Sequence, residues 1–187
     1  MRPESAARGE EEPAWLRRAA AGDPAALRWL LDEVAPVVYG FIYARVGGRT
    51  EVADDLLQEV VIEAVRGAEA FRGEAAASTW LCAIARRRLA RYYETERRAE
   101  AARAGLWVVG GTGGEDSDQV ALERHDEIVR ALGRLSPIHR QVLVLKYLDD
   151  QSVEEIAAAT ARSRTQIQSL LQRARVALRR ELGEADA

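Results

Sequence analysis

The sequence contains few of the side chains on which metal sites and disulfides depend. Its 187 residues include one cysteine, Cys82, and two histidines, His125 and His139. A single cysteine excludes a disulfide within the chain and a cysteine-based zinc site. With so few soft ligands, we expect neither a metal centre nor another cofactor.

Long apolar runs are missing as well. No stretch approaches the roughly 18 apolar residues of a membrane span, and the N-terminal sequence MRPESAARGEEEP has no apolar signal core. We therefore expect a cytoplasmic protein. The sequence also has no phosphate-binding loop and no nucleophile–histidine–acid set, so we do not expect an enzyme. Cys82 is interpreted as a small apolar residue of a helix.

Strand-forming sequence is scarce, too: there are two phenylalanines and no long run in which apolar and polar residues alternate. The apolar residues instead recur at helical spacing, which predicts an all-α fold. A glycine-rich stretch, GLWVVGGTGGEDSD, interrupts this pattern and is typical of a linker. The sequence thus predicts two small helical domains. The predicted divisions are an N-terminal tail over 1–22 (disordered up to residue 12), a first domain over 23–98, a linker over 99–121 and a second domain over 122–183.

The net charge of −3 hides a strong segregation of charge along the chain. Between Arg49 and Glu63 one arginine faces five acidic residues, whereas the segment from Arg86 to Arg98 has six arginines and two acids. The segment from Arg162 to Arg180 has six arginines and no acid. Because salt screens charges over about 10 Å, the local sign of each face matters more than the total.

The last basic segment belongs to the pattern SVEEIAAATARSRTQIQSLLQRARVALRREL, which begins at Ser152. Ser152 precedes Glu155 by three residues, and Ser163 precedes Gln166 by three. Both pairs have the spacing of a capping box, so two helices separated by a short turn are predicted. The second helix has an apolar face, formed by Ile167, Leu171, Ala174 and Leu178. An amphipathic helix with an arginine face is typical of the recognition helix of a helix-turn-helix.

Two further helices carry the other charged segments. The helix over 51–66 has a wide apolar stripe, and its opposite face is acidic, with Asp54, Asp55, Gln58, Glu59 and Glu63. The helix over 79–98, capped by Ser78, has a core face predicted as Leu81, Ile84 or Ala85, Leu89 and Tyr92. Its arginines lie near Trp80, a combination that suits phosphates and unpaired bases. For both charged faces, an ordinary solvated helix surface is the alternative interpretation.

Helix boundaries are indicated by four of the prolines. Pro13 predicts a helix that runs through Ala21. Asp23 before Pro24 predicts a helix start, and Ser136 before Pro137 predicts another. Pro36 either ends the helix that begins at Pro24 or starts the next one.

With these features in place, the chain from about Asp23 to Leu182 resembles the extracytoplasmic-function (ECF) group of bacterial sigma factors. VADDLLQEV (Val52 to Val60) is similar to the region-two helix of that family that docks on RNA polymerase. STWLCAIAR (Ser78 to Arg86) is similar to its promoter-melting segment. LSPIHRQVLVLKYLDDQSVEEIA, followed by SLLQRARVALRREL, is similar to region four. The resemblance implies a sigma factor that binds core polymerase and directs promoter-specific initiation.

The resemblance also implies roles for individual residues and partners. Docking on the β′ clamp of core RNA polymerase is assigned to Asp54, Asp55, Gln58 and Glu59. Recognition and melting of the minus-ten element is assigned to Phe71, Arg72, Trp80, Arg86, Arg87 and Arg91. Reading of the minus-thirty-five element is assigned to Arg164, Thr165, Gln168, Ser169, Gln172, Arg173 and Arg175. Contact with the polymerase β flap and an anti-sigma partner are implied by analogy. The linker, including Trp107, would thread toward the active-site and RNA-exit path of the polymerase.

Within the minus-thirty-five set, Arg164, Gln168 and Gln172 are expected to read bases, because arginine suits guanine edges and glutamine suits adenine edges. Arg173 and Arg175 are expected to grip phosphates.

Several positions depart from the family pattern. Arg87 and Arg91 replace a common asparagine and an acidic residue, while Gln168 and Leu170 replace two usual cations. The promoter sequence therefore cannot be transferred from relatives. An alternative interpretation of the whole chain is a stand-alone helix-turn-helix regulator or adaptor that forms no holoenzyme.

Overall fold

A computed structural model of the protein describes residues 5–103 and 120–183. Every regular element within these residues is helical, which confirms the all-α prediction. Trp107 and the glycine-rich part of the predicted linker lie outside the described residues. The α-helices are α1 (Ser5–Ala20), α2 (Pro24–Trp29), α3 (Ala35–Arg45), α4 (Thr50–Arg66), α5 (Ala77–Arg103), α6 (Val120–Arg134), α7 (Pro137–Leu143), α8 (Val153–Thr160) and α9 (Arg164–Glu181).

The chain divides into two compact units. The first comprises Met1–Tyr43 and Thr50–Arg91, and the second comprises Ala44–Arg49 and Tyr92–Ala187. This division falls inside α5, whereas the sequence predicts a domain boundary after residue 98. The last turns of α5 therefore contribute to the packing of the second unit.

The N-terminal segment differs from its prediction. The sequence predicts disorder up to residue 12 and a helix from Pro13, whereas α1 begins at Ser5 and contains Pro13 in its interior. Pro13, Leu16 and Ala19 form the buried face of α1, which packs on α2 and α4. Burial of this face offsets the hydrogen bond that a proline inside a helix removes.

Pro36 is the second residue of α3, and the backbone from α2 to α3 stays helical without a break. Leu30–Val34 form a π turn between α2 and α3, and the N–H of Ala35 donates to the Leu30 carbonyl. A π turn re-pairs the backbone with acceptors five residues back, which accommodates a proline that has no N–H of its own.

The Asp23 cap is confirmed, since its carboxylate accepts from the N–H groups of Ala25 and Ala26 at 2.8 and 3.3 Å.

The core face of α5 is confirmed at Leu81, Ile84, Ala85 and Leu89, but not at its last position. Tyr93 is buried in place of Tyr92, and its hydroxyl donates to the Arg45 carbonyl at 2.7 Å. Burial raises the pKa of Tyr93 well above its ordinary value. This hydrogen bond explains why Tyr93 is buried instead of Tyr92, because a buried tyrosine hydroxyl needs a polar partner.

Two buried ion pairs stabilise the second unit. The guanidinium of Arg45 contacts Asp149 at 2.6 Å, and both side chains are less than one tenth exposed. The guanidinium of Arg140 is paired with Glu96, which also receives two hydrogen bonds from Arg49. These contacts join residues that are 44 to 104 positions apart in the sequence, and no local pattern predicts them.

The helix-turn-helix is formed by α8 and α9. Both predicted capping boxes are present, at Ser152 with Glu155 and at Ser163 with Gln166. Ala161 ends α8 in the left-handed conformation, with φ 52°. Ser136 does precede a first-turn proline, but its side chain makes no capping hydrogen bond. The core beneath α9 contains Ile167, Leu170, Leu171 and Ala174 together with side chains of α7 and α8.

Candidate nucleic-acid and protein-binding surfaces

The acidic face of α4 is set by the burial of its other face. Ala53, Leu56, Val60 and Ala64 are buried at helical spacing. All four residues predicted to meet the polymerase are exposed on the opposite side, namely Asp54, Asp55, Gln58 and Glu59. These side chains form a patch that suits a basic protein surface better than DNA.

The arginines of α5 lie beside this acidic face. Arg88 contacts Glu59 at 3.0 Å and Glu63 at 2.6 Å, and Arg87 contacts Glu63 at 2.9 Å. Hydrogen bonds from Arg87 and then Arg88 hold the pKa of the Glu63 carboxyl below its ordinary value. The contact with Arg88 partly neutralises Glu59 within the chain. Sequence reasoning missed this pairing because it joins two helices.

The residues assigned to the minus-ten element are not equally accessible. Phe71 is 3% exposed, and its ring packs against Trp80 with centroids 5.2 Å apart. Trp80 is half-buried, while Arg72 is exposed. Phe71 therefore packs within the unit against Trp80, and its assignment to the minus-ten element stays a prediction.

Three further arginines of that assignment lie on the surface of α5. Arg86, Arg87 and Arg91 are all exposed. The guanidinium of Arg86 lies 5.0 Å from the centroid of the Phe41 ring, a cation–π geometry that sequence reasoning did not find. This surface combines cations with the partly open Trp80 ring, and it is suited to an unpaired nucleic-acid strand.

The recognition helix α9 exposes the complete set predicted for the minus-thirty-five element: Arg164, Thr165, Gln168, Ser169, Gln172, Arg173 and Arg175. Arg164 pairs with Glu154 at 3.2 Å, and both side chains are about two thirds exposed. Arg175 donates to the Tyr147 hydroxyl at 2.8 Å and also lies over that ring. Tyr147 is 57% exposed and is a candidate surface residue that the sequence analysis missed.

The departure at Leu170 has a structural reason. Leu170 is 7% exposed and belongs to the core beneath α9. A leucine there packs in the second unit and contributes apolar burial instead of a phosphate contact. The cationic character of α9 thus depends on its exposed arginines.

Within 5–103 and 120–183, histidine, cysteine and acidic side chains do not form a group of three or more that could hold a metal ion. Across those ranges, the helices are too short or too polar for any of them to cross a membrane.

Comparison with known proteins gives matches to both halves of the chain. The family model described as Sigma-70 region 2 matches residues 30–99, and that described as Sigma-70, region 4 matches residues 125–178. The ECF RNA polymerase sigma factor BldN of Streptomyces coelicolor is 31% identical over 173 residues, which cover 85% of this chain and 61% of BldN. The ECF sigma factor SigD of Mycobacterium tuberculosis is 30% identical over 164 residues, which cover 84% of this chain and 77% of SigD.

A solved structure is also similar to this chain. It contains the sigma factor RpoE in complex with the anti-sigma factor NepR from Bartonella quintana. The alignment covers 84% of this chain and 96% of that chain, with 22% sequence identity and a TM-score of 0.47.

Proposed function

This chain belongs to the ECF group of RNA polymerase sigma factors, and from that membership we propose that it binds core RNA polymerase and directs initiation at a small set of promoters. The observation that carries the proposal is that the exposed arginine- and glutamine-rich face of α9, capped at Ser163, occurs in the same chain as the exposed acidic face of α4. A stand-alone regulator would need only the face of α9. The region-two match over 30–99 supports a sigma factor instead.

Docking on the β′ clamp of the polymerase is the role we propose for the acidic face of α4. The exposed positions of Asp54, Asp55 and Gln58 support this role. Glu59 is 53% exposed while it contacts Arg88. Because exposed ion pairs are weak, Glu59 is able to exchange Arg88 for a cation of the polymerase.

Opening of the minus-ten element is the role we propose for Trp80 and the exposed arginines of α5. Trp80 is half-buried and packs against the Phe71 ring with centroids 5.2 Å apart, and the exposed part of Trp80 would stack on a flipped base. Stacking of one base on an aromatic ring is worth roughly 1–3 kcal/mol, which offsets the few kcal/mol needed to flip it.

Reading of the minus-thirty-five element is the role we propose for α9. Arg164, Gln168 and Gln172 would read base edges, and Arg173 and Arg175 would bind phosphates. The pair between Arg164 and Glu154 is exposed on both sides, so its loss on binding DNA costs little. Tyr147 holds the Arg175 guanidinium in place at 2.8 Å, which lowers the entropy that Arg175 would lose on binding a phosphate.

The remaining features of the proposal follow from family membership. We propose contact with the polymerase β flap, regulation by an anti-sigma protein, and action in the cytoplasm, where polymerase and promoter DNA are found. The factor would bind and position its partners without catalysing a reaction of its own.

Run-off transcription tests the proposed function. Chromosomal DNA recovered with the protein would be sequenced to obtain a promoter, which is then transcribed with purified core polymerase with and without this chain. We expect a transcript that requires the chain. If no promoter-dependent transcript forms while the chain still binds the recovered DNA by itself, the protein is a stand-alone regulator.

Charge reversal on α4 tests the docking face. Asp55→Arg together with Glu59→Arg should abolish assembly with core polymerase, because both substitutions present like charge to a basic partner. Assembly would be measured by size-exclusion chromatography and by fluorescence anisotropy. Glu69→Arg is the matched control, since Glu69 is exposed in the same unit but lies outside α4. Unchanged assembly of the double variant would refute this docking face.

A further inference from the structure

The N-terminal helix α1 lies ahead of the residues that match the region-two family model, yet it belongs to the core of the first unit. Leu16 is fully buried, and Ala19 is 3% exposed. The helix packs on α4 and on a short 3-10 turn formed by Ala68–Ala70. This turn leads directly into the loop over 71–76, at the start of which Phe71 lies.

Glu12 connects α1 to the other end of that loop. Its carboxylate accepts the backbone N–H of Ala77, the first residue of α5, at 2.6 Å. The first N–H groups of a helix have no partner inside the helix and carry partial positive charge. The sequence prediction that Ser78 caps this helix is therefore wrong: Ser78 lies inside the first turn, and the acceptor comes from 65 residues away.

These two contacts enclose the segment proposed to open the promoter. One fixes the 3-10 turn before Phe71, and the other fixes Ala77, which lies one helical turn before Trp80. The Phe71 and Trp80 rings contact each other across the loop. A loop with both ends held by one helix loses less conformational entropy when it captures a base, which is the usual advantage of a preorganised site.

We propose that Glu12 is a positioning residue for promoter opening: through Ala77 it fixes the start of α5 and with it the loop 71–76 and Trp80. The role of Glu12 in promoter opening rests on the proposed function. The proposed role of Glu12 differs from that of a cap that only stabilises the fold. It requires that loss of the Glu12 contact slow DNA opening more than that loss weakens binding to the polymerase.

The experiment compares full-length wild type with Glu12→Ala, Glu12→Gln and the matched control Glu11→Ala, whose side chain is exposed on the same helix. Holoenzymes are assembled on the recovered promoter. Permanganate reactivity of unpaired thymines gives the rate of opening, and fluorescence anisotropy gives the affinity for core polymerase. Hydrogen exchange of the peptide over 71–80, which includes the Ala77 N–H, gives a readout that is independent of any activity.

We expect Glu12→Ala to slow opening by about fivefold, the effect of one net hydrogen bond, with core affinity changed by less than about twofold. Glu12→Gln should retain part of the rate, because its amide oxygen still accepts a hydrogen bond. Exchange over 71–80 should increase in Glu12→Ala and not in Glu11→Ala.

Two results would overturn the inference while wild type still opens the promoter. One is an unchanged opening rate in Glu12→Ala. The other is a loss of opening that is matched by an equal loss of core affinity and a lower melting temperature in both Glu12 variants, which identifies a structural cap only. If wild type opens no promoter, the proposed function itself fails, and the functional part of the inference fails with it.

Discussion

The ion pair of Arg45 and Asp149 is buried in the second unit, and a substitution of either residue is expected to be costly. The Arg45 guanidinium donates to the Asp149 carboxylate at 2.6 and 3.1 Å and to the Leu148 carbonyl at 3.1 Å. Taking both charges out of water is costly, and their mutual attraction repays that cost only while both are present. Removing one charge should therefore destabilise the unit far more than removing an exposed charge.

Asp149→Asn tests this expectation with a close isostere. It should lower the free energy of unfolding by about 3 kcal/mol, because the buried guanidinium then faces a neutral amide. Asp150→Asn is the matched control: Asp150 is the next residue, is exposed, and has a φ of 50° that asparagine tolerates. Urea unfolding followed by circular dichroism measures both variants. Equal midpoints would mean that the pair contributes no net stability.

The recognition helix α9 depends on its cap. The Ser163 hydroxyl accepts the Gln166 N–H at 3.2 Å, and the Gln166 side chain accepts the Ser163 N–H at 2.8 Å. Ser163→Ala removes the first bond and should cost about 1 kcal/mol. Ser169→Ala in the middle of the same helix should instead be neutral or slightly stabilising, because alanine is the better helix former. Thermal unfolding compares the two; destabilisation of both by the same amount would contradict the capping explanation.

The caps also indicate what sequence reasoning is able to predict at the level of elements. Asp23, Ser152 and Ser163 satisfy N–H groups two or three residues ahead, so the partner is fixed by local spacing. Glu12 satisfies a helix start 65 residues away. Its partner exists only after α1 has packed, and an acidic tail followed by proline gives no local signal for that packing.

Helical periodicity has a similar limit for aromatic side chains. A buried stripe covers an arc of the helix, and two consecutive tyrosines at its edge are nearly equivalent in the pattern. Tyr93 is buried because the Arg45 carbonyl lies within reach of its hydroxyl, a long-range feature. Phe71 likewise has a partner on another element: its ring packs against Trp80 of α5 and is 3% exposed, which no local pattern predicts.

For the whole molecule, the net charge of −3 is the sum of acidic and basic surfaces, for which we propose different partners. Part of that charge is neutralised within the chain, where Glu59 and Glu63 face Arg87 and Arg88. Glu154 of α8 pairs with Arg164 of α9. A protein with an acidic total charge is thus able to bind an acidic polymer, because screening confines each interaction to its own surface.

Salt titration of the holoenzyme on its promoter separates two kinds of arginine on α9. Arg175→Ala should weaken binding to all promoters alike and reduce the slope of log affinity against log salt by about 1, since one phosphate contact is lost. Arg164→Ala should leave the slope nearly unchanged and reduce discrimination at one upstream base pair by roughly 1–3 kcal/mol. Binding to promoters with single-base changes, measured at several salt concentrations, checks both expectations. Identical behaviour of the two variants would refute the division into base-reading and phosphate-binding arginines.

The Tyr147 hydroxyl gives a further test, because Arg175 donates to it. Tyr147→Phe should weaken binding to all promoters alike, by less than Arg175→Ala does, and should leave the slope of log affinity against log salt unchanged.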